Sequence, residues 1–175
     1  MRKCIISFVA SFIILFPLSS TAQTIDSLFI YKQAFKYISR DLGIKKKRIA
    51  VSNKLQNFDS YMFLYIDSVK GSNLEMIVRQ RQERSMDPNA RRDNLYSFIL
   101  DKRFNKISKH TEYALFFSYI EDGIVLAEIG KLQKNAKSTE YRIVNYTALE
   151  FFHYMFIYDN TNKLKKCFRK EIHKF

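Results

Sequence analysis

A chain of 175 residues with 30 Lys and Arg against 17 Asp and Glu carries a formal charge of +13, and its 47% hydrophobic content is that of a globular protein, not a disordered one. Two cysteines and four glycines exclude a disulfide framework, a cysteine-based zinc cluster and a glycine-rich phosphate loop. Sixteen Phe and eleven Tyr supply the apolar surface for a core held by packing alone.

The first 22 residues read as a secretory leader. Arg2 and Lys3 precede an apolar run from Cys4 to Leu18, and Ser19-Ser20-Thr21-Ala22 supplies a small-residue junction for cleavage after Ala22. That run falls short of the ~18 residues needed to span hydrocarbon, so a cleaved leader and an exported chain, periplasmic or extracellular, are expected. Removing Arg2 and Lys3 from a total of +13 leaves +11 on residues 23–175, which read as a single domain. Of the two cysteines only Cys167 then remains, as a small apolar residue in a strand.

The next stretch, TIDSLFIYKQAFKYISRDLG, repeats Leu28, Tyr31, Phe35, Ile38 and Leu42 at helical spacing. It predicts an amphipathic helix over about 25–42, capped by Thr24 or Asp26 and closed by Gly43. One apolar stripe means that it lies on a sheet and is not enclosed by it. SYMFLYID at 60–67 has strand composition. Residues 73–82 fit either a strand or a helix burying Leu74, Ile77 and Val78, and DNLYSFILDKRF at 93–104 predicts a short helix.

Two hairpins follow. Asp122-Gly123 between two apolar runs is a strong type I′ turn signal, because both central positions of that turn need positive φ. Pairing Glu121 with Ile124 places Phe116, Ser118, Ile120, Val125, Ala127 and Ile129 on one face, with Leu115, Phe117, Tyr119, Ile124 and Leu126 on the other. Both faces are apolar, so the hairpin belongs mid-sheet, covered on each side or lining a pocket. The helix at 93–104 is the first candidate cover, then an apolar ligand, then a second copy in a homodimer. The closing hairpin runs from LEFFHYMFIY (149–158) through DNTN to KLKKCFRKEIHKF, with Phe151, His153, Met155 and Ile157 on one face and Phe152, Tyr154, Phe156 and Tyr158 on the other. The whole predicts an α+β fold, one N-terminal helix on an antiparallel sheet of four to six strands, cystatin-like or NTF2-like in outline.

Chemistry is scarce. His110, His153 and His173 show no metal-ligand spacing, and no nucleophile elbow, metal shell or cofactor loop is present, so no cofactor is expected. Lys45, Lys46, Lys47 and Arg48, the run Arg79-Arg81-Arg84 with Arg91-Arg92, and the last strand's Lys163, Lys165, Lys166, Arg169 and Lys170 offer basic surface. Charge without a groove-reading element does not point to nucleic acid; anionic lipid headgroups or surface polysaccharide suit it better. Lysines on an edge strand also discourage strand pairing with other chains.

The leader ending SSTAQ, the segments AFKYISRDLG and KKRIAVSNKL, and LFFSYIEDGIVLAEI with YMFIYDNTNKLKKCFRKEI together resemble small uncharacterised exported proteins of Bacteroides-type bacteria. The resemblance covers most of the chain and implies a compartment but no activity. The expected function is a non-enzymatic binding module for an anionic envelope component or an apolar small ligand. The alternative is a small enzyme with an aromatic pocket of Phe117, Tyr119, Leu126, His153 and Tyr154, in which Glu150 or Tyr154 assists His153.

Overall fold

The computed structural model describes residues 27–87, 108–133 and 150–173, together with Val144 and Ala148. The leader at 1–22, the caps Thr24 and Asp26, and the expected helix at 93–104 lie outside the described residues. The architecture is α+β, with helices on both faces of a five-stranded sheet.

Helix α1 spans Ser27–Asp41 and buries Ile30, Tyr31, Ala34 and Ile38, while Phe35 and Leu42 are half-buried beside them. Its end is a Schellman turn: Gly43 N–H donates to Arg40 C=O at 3.1 Å and Ile44 N–H to Ser39 C=O at 3.0 Å. A three-residue 3-10 turn, Lys46–Arg48, leads into strand β1, Ile49–Val51.

The segment expected as a strand at 60–67 is instead a 3-10 helix, Asp59–Tyr65, continuing into α2, Ile66–Val69. Alternating aromatics suggested a strand, but Phe58, Met62, Tyr65 and Val69 follow a helical period, and those are the apolar residues buried. The Asn57 side-chain carbonyl accepts Asp59 N–H at 2.9 Å and starts the turn. Helix α3, Leu74–Met86, resolves the ambiguity at 73–82, with Val78 and Arg81 buried and Leu74 and Ile77 half-buried.

Strands β2 (Tyr113–Phe117), β3 (Ile124–Lys131), β4 (Glu150–Tyr158) and β5 (Leu164–His173) follow. The spatial order is β1-β2-β3-β4-β5, so β3 is central and β1 and β5 are the edges. The sheet is mixed, not wholly antiparallel, because β1 runs parallel to β2. A parallel neighbour needs a crossover, and the chain between β1 and β2 carries the 3-10 helix, α2 and α3 across the face opposite α1.

Asp122 and Gly123 both take positive φ, 52° and 70°, and Glu121 pairs with Ile124 as the turn signal implied. The face assignment changes, however. Beyond the turn the register is Phe117 with Ala127 and Leu115 with Ile129, one residue short of a two-residue hairpin continued from Glu121 and Ile124. Ser118 takes up the slack: its N–H donates to Leu126 C=O and its hydroxyl accepts Leu126 N–H, at 2.8 and 2.9 Å. One residue of slip exchanges the faces of β2 relative to β3. Leu115, Phe117, Val125, Ala127 and Ile129 therefore face α1, while Phe116, Ile124 and Leu126 face the 3-10 helix and α3. Both faces are covered, as the doubly apolar pattern requires.

The closing hairpin has the expected faces, with Tyr154, Phe156 and Tyr158 toward α1 and Phe151, Met155 and Ile157 away from it. Gly130, the next-to-last residue of β3, makes room for Phe151: a Cβ there would sit 2.6 Å from the buried Phe151 ring.

Candidate functional site

Three polar constellations stand out against this apolar frame. The first lies on the surface between α1 and β5. Lys32, Lys36 and Arg40 recur every four residues, so all three stand on one exposed stripe of α1. Beside them an open cleft of about 540 Å³ is lined by Gln33, Lys36, Tyr37, Arg40, Asp41 and Leu164. Gln33 ties the helix to the β4–β5 turn by donating to Asn162 C=O at 3.1 Å.

Asp41 is the acid of this cleft, and its charge is already engaged. It accepts from the Tyr154 hydroxyl at 2.8 Å and from Arg169 at 3.0 Å, and this hydrogen bond with the carboxylate's charge holds the Arg169 guanidinium firmly protonated. Arg169 also lies over the Phe152 ring at 5.7 Å. Lys165 is committed to Asp159 at 3.1 Å. Lys32, Lys36 and Arg40 have no acidic partner among the described residues, so the face presents net positive potential.

The second constellation is buried. Glu128 and His153 are direct cross-strand neighbours on β3 and β4, with Nε2 3.0 Å from Oε2. They are only 1% and 4% exposed. The Tyr61 ring lies 4.4 Å from the imidazole and Phe58 6.4 Å, so the aromatic 3-10 helix seals the pair. Nearby, the Tyr65 hydroxyl is buried without a hydrogen-bond partner, and burial above all, then the neighbouring Cys167, Tyr154 and Glu128, pushes its ionisation far up. Replacing Glu128 with Leu removes a partner from a buried imidazole and is expected to lower unfolding stability by about 1–3 kcal/mol. Urea denaturation measures this. An unchanged midpoint would mean that the pair contributes nothing to the fold.

The third joins α3, the 3-10 helix and the β2–β3 turn. Arg81 and Asp59, 2% and 3% exposed as side chains, meet at 2.6 Å, and Arg84 bridges Asp59 and Glu121 at 3.3 and 2.8 Å. Tyr119 donates to Asp59 at 3.3 Å; burial, with Asp59 and Glu121 beside it, pushes its hydroxyl up to about 12.

The residues singled out from sequence are dispersed. Phe117 and Tyr154 face α1, Leu126 and His153 face the opposite layer, and Tyr119 leaves the ladder to reach Asp59. Glu150 is exposed, and His153 meets Glu128 instead. Glu128 was missed, although a lone acid inside the run from Ile124 to Ile129 signals a buried partner. The basic stretches also separate. Lys45, Lys46, Lys47 and Arg48 precede β1, with Arg48 paired to Glu112, whereas Lys163, Lys165, Lys166, Arg169 and Lys170 belong to β5 and its turn. These are opposite edges, four strand spacings or about 19 Å apart. Arg81 is consumed in the core, and Arg79 pairs with Glu75 at 2.9 Å.

Among the described residues no group of three or more His, Cys, Asp or Glu is placed to hold a metal ion, and no helix is long and apolar enough to cross a membrane. No protein-family model matches this chain, and no curated protein or solved structure does so either.

Proposed function

We propose that this protein is an exported, non-enzymatic binding module that holds an anionic component of the cell envelope on the face formed by α1 and β5. The observation that carries the reading is the stripe Lys32, Lys36, Arg40 beside a cleft whose acid, Asp41, is already paired with Arg169 and hydrogen-bonded by Tyr154. Export rests on the leader pattern of residues 1–22 and on the resemblance to small exported proteins. The alternative, a small enzyme working through His153, draws on the Glu128–His153 pair. That pair is sealed beneath Phe58 and Tyr61, which favours a structural role for it.

The test is binding to sulfated dextran at low salt. Each cation facing a polyanionic surface is worth about 1 kcal/mol. Replacing Lys32, Lys36 and Arg40 together by Gln is therefore expected to weaken binding about a hundredfold, while the same change at Lys45, Lys46 and Lys47 leaves it nearly unaltered. Equal losses from the two triple variants, or no binding by the parent protein, would refute the assignment of this face.

A further inference from the structure

Strand β5 is an edge of the sheet, ten residues long, and the direction of its backbone groups follows from the hydrogen bonds on either side of β4. Tyr158 N–H donates to Gly123 C=O, toward β3, whereas Asp159 N–H donates to Lys163 C=O, toward β5. Alternation along β4 then turns the backbone of Ile157, Met155, His153 and Phe151 toward β5. Their register partners are Lys166, Phe168, Lys170 and Ile172, whose backbone groups point back to β4. The N–H and C=O groups of Cys167, Arg169 and Glu171 face outward, and no further strand pairs with them among the described residues.

An open edge of this length is a template for another strand, and its side chains decide which strand it accepts. From Lys163 to Lys170 the edge carries five cations and no acid. Cations lie on both sides of the sheet here, with Arg169 toward α1 and Lys166 and Lys170 toward the opposite layer. A second copy of β5 would bring lysine against lysine and is rejected. Arg169 is shared with Asp41, but Lys166 and Lys170 have no acidic partner among the described residues, so an acidic strand that turns its carboxylates to that side finds free cations.

We infer that β5 accepts an extended acidic polypeptide segment as a sixth strand, held by the outward backbone groups of Cys167, Arg169 and Glu171 and selected by the surrounding lysines. This rests on the reading of the α1–β5 face as a site for an anionic partner, and it names that partner as a peptide strand. Lipid and polysaccharide anions share the charge but lack the amides and carbonyls that would complete the ladder.

The experiment uses the mature protein and a nine-residue peptide of alternating glutamate and valine, compared with the same peptide N-methylated at every second amide. Strand addition predicts that methylation weakens binding at least tenfold with charge unchanged. It also predicts that amide hydrogen exchange at Cys167, Arg169 and Glu171 slows at least tenfold in the complex, whereas Lys166, Phe168 and Lys170 are protected from the outset. Equal binding of the two peptides, or outer amides that still exchange freely, overturns the inference. Sulfated dextran and anionic vesicles serve as separate arms. If either binds while the peptide does not, strand addition fails and the anionic-partner reading stands; if nothing binds, both fall.

Discussion

Replacing Arg81 with Met lowers the free energy of unfolding by about 3–5 kcal/mol, among the largest effects expected from a single substitution in this protein. The cost comes from what the substitution leaves behind. Asp59 is 3% exposed as a side chain, and its Oδ1 accepts two hydrogen bonds from Arg81, from Nε at 2.9 Å and from Nη2 at 2.6 Å. Without the guanidinium a carboxylate stays buried with only the longer contacts from Arg84 and Tyr119, each at 3.3 Å. Breaking one side of a buried pair strands the other charge, whereas removing both sides costs far less. The double variant Asp59→Leu, Arg81→Met should therefore recover most of the loss, and a double-mutant cycle by urea unfolding yields the coupling directly. A loss below about 1 kcal/mol for Arg81→Met would show that Arg84 takes over the carboxylate and that the buried pair is dispensable.

This network also marks the limit of what could be read from sequence. Local chemistry was legible: Gly43 ends α1, Asp122-Gly123 makes the hairpin turn, and the alternation from Phe151 to Tyr158 assigns both faces of β4 correctly. The register of β2 was not, because it depends on how Ser118 bonds both backbone groups of Leu126 across the hairpin. The segment at 60–67 misled for a related reason. Tyr61, Phe63 and Tyr65 alternate as in a strand, yet Asp59 at the head of that segment is tied to Arg81, and this pairing is invisible before α3 is placed. Arg81 itself looked like one more surface cation in a basic run. For the site, the basic strand at the chain's end was plain, but Lys32, Lys36 and Arg40 went unremarked because α1 was read for its apolar stripe alone. Glu128 and His153 stand 25 residues apart and meet only through the β3–β4 register. Pairings made across strands are set by the whole sheet, and no window of sequence contains them.

The second large effect is alkaline unfolding. Tyr31, Tyr65, Tyr154 and Tyr158 are all less than 6% exposed, and burial is the leading cause that pushes each hydroxyl well above the ordinary 10. Tyr154 is held further by its hydrogen bond to Asp41, and the half-buried Cys167 is pushed up to about 12 by its partial desolvation. The sign follows from proton counts. Between the unfolded value of 10 and the higher folded values, the unfolded chain has lost protons that the native state keeps. Stability is therefore unaffected by these groups below pH 10 and falls as pH rises above it. Each proton contributes about 1.4 kcal/mol per pH unit, so four tyrosines give a slope of about 5 kcal/mol per unit. A domain stabilised by about 5–15 kcal/mol is exhausted within roughly one to three units above pH 10. Titration followed by tyrosinate absorbance and far-ultraviolet circular dichroism should show these rings ionising in one steep step that coincides with loss of the fold. A smooth titration of all eleven tyrosines centred near pH 10, with the dichroism unchanged, would mean that water reaches these hydroxyls and that the packing of α1 and the 3-10 helix on the sheet is wrong.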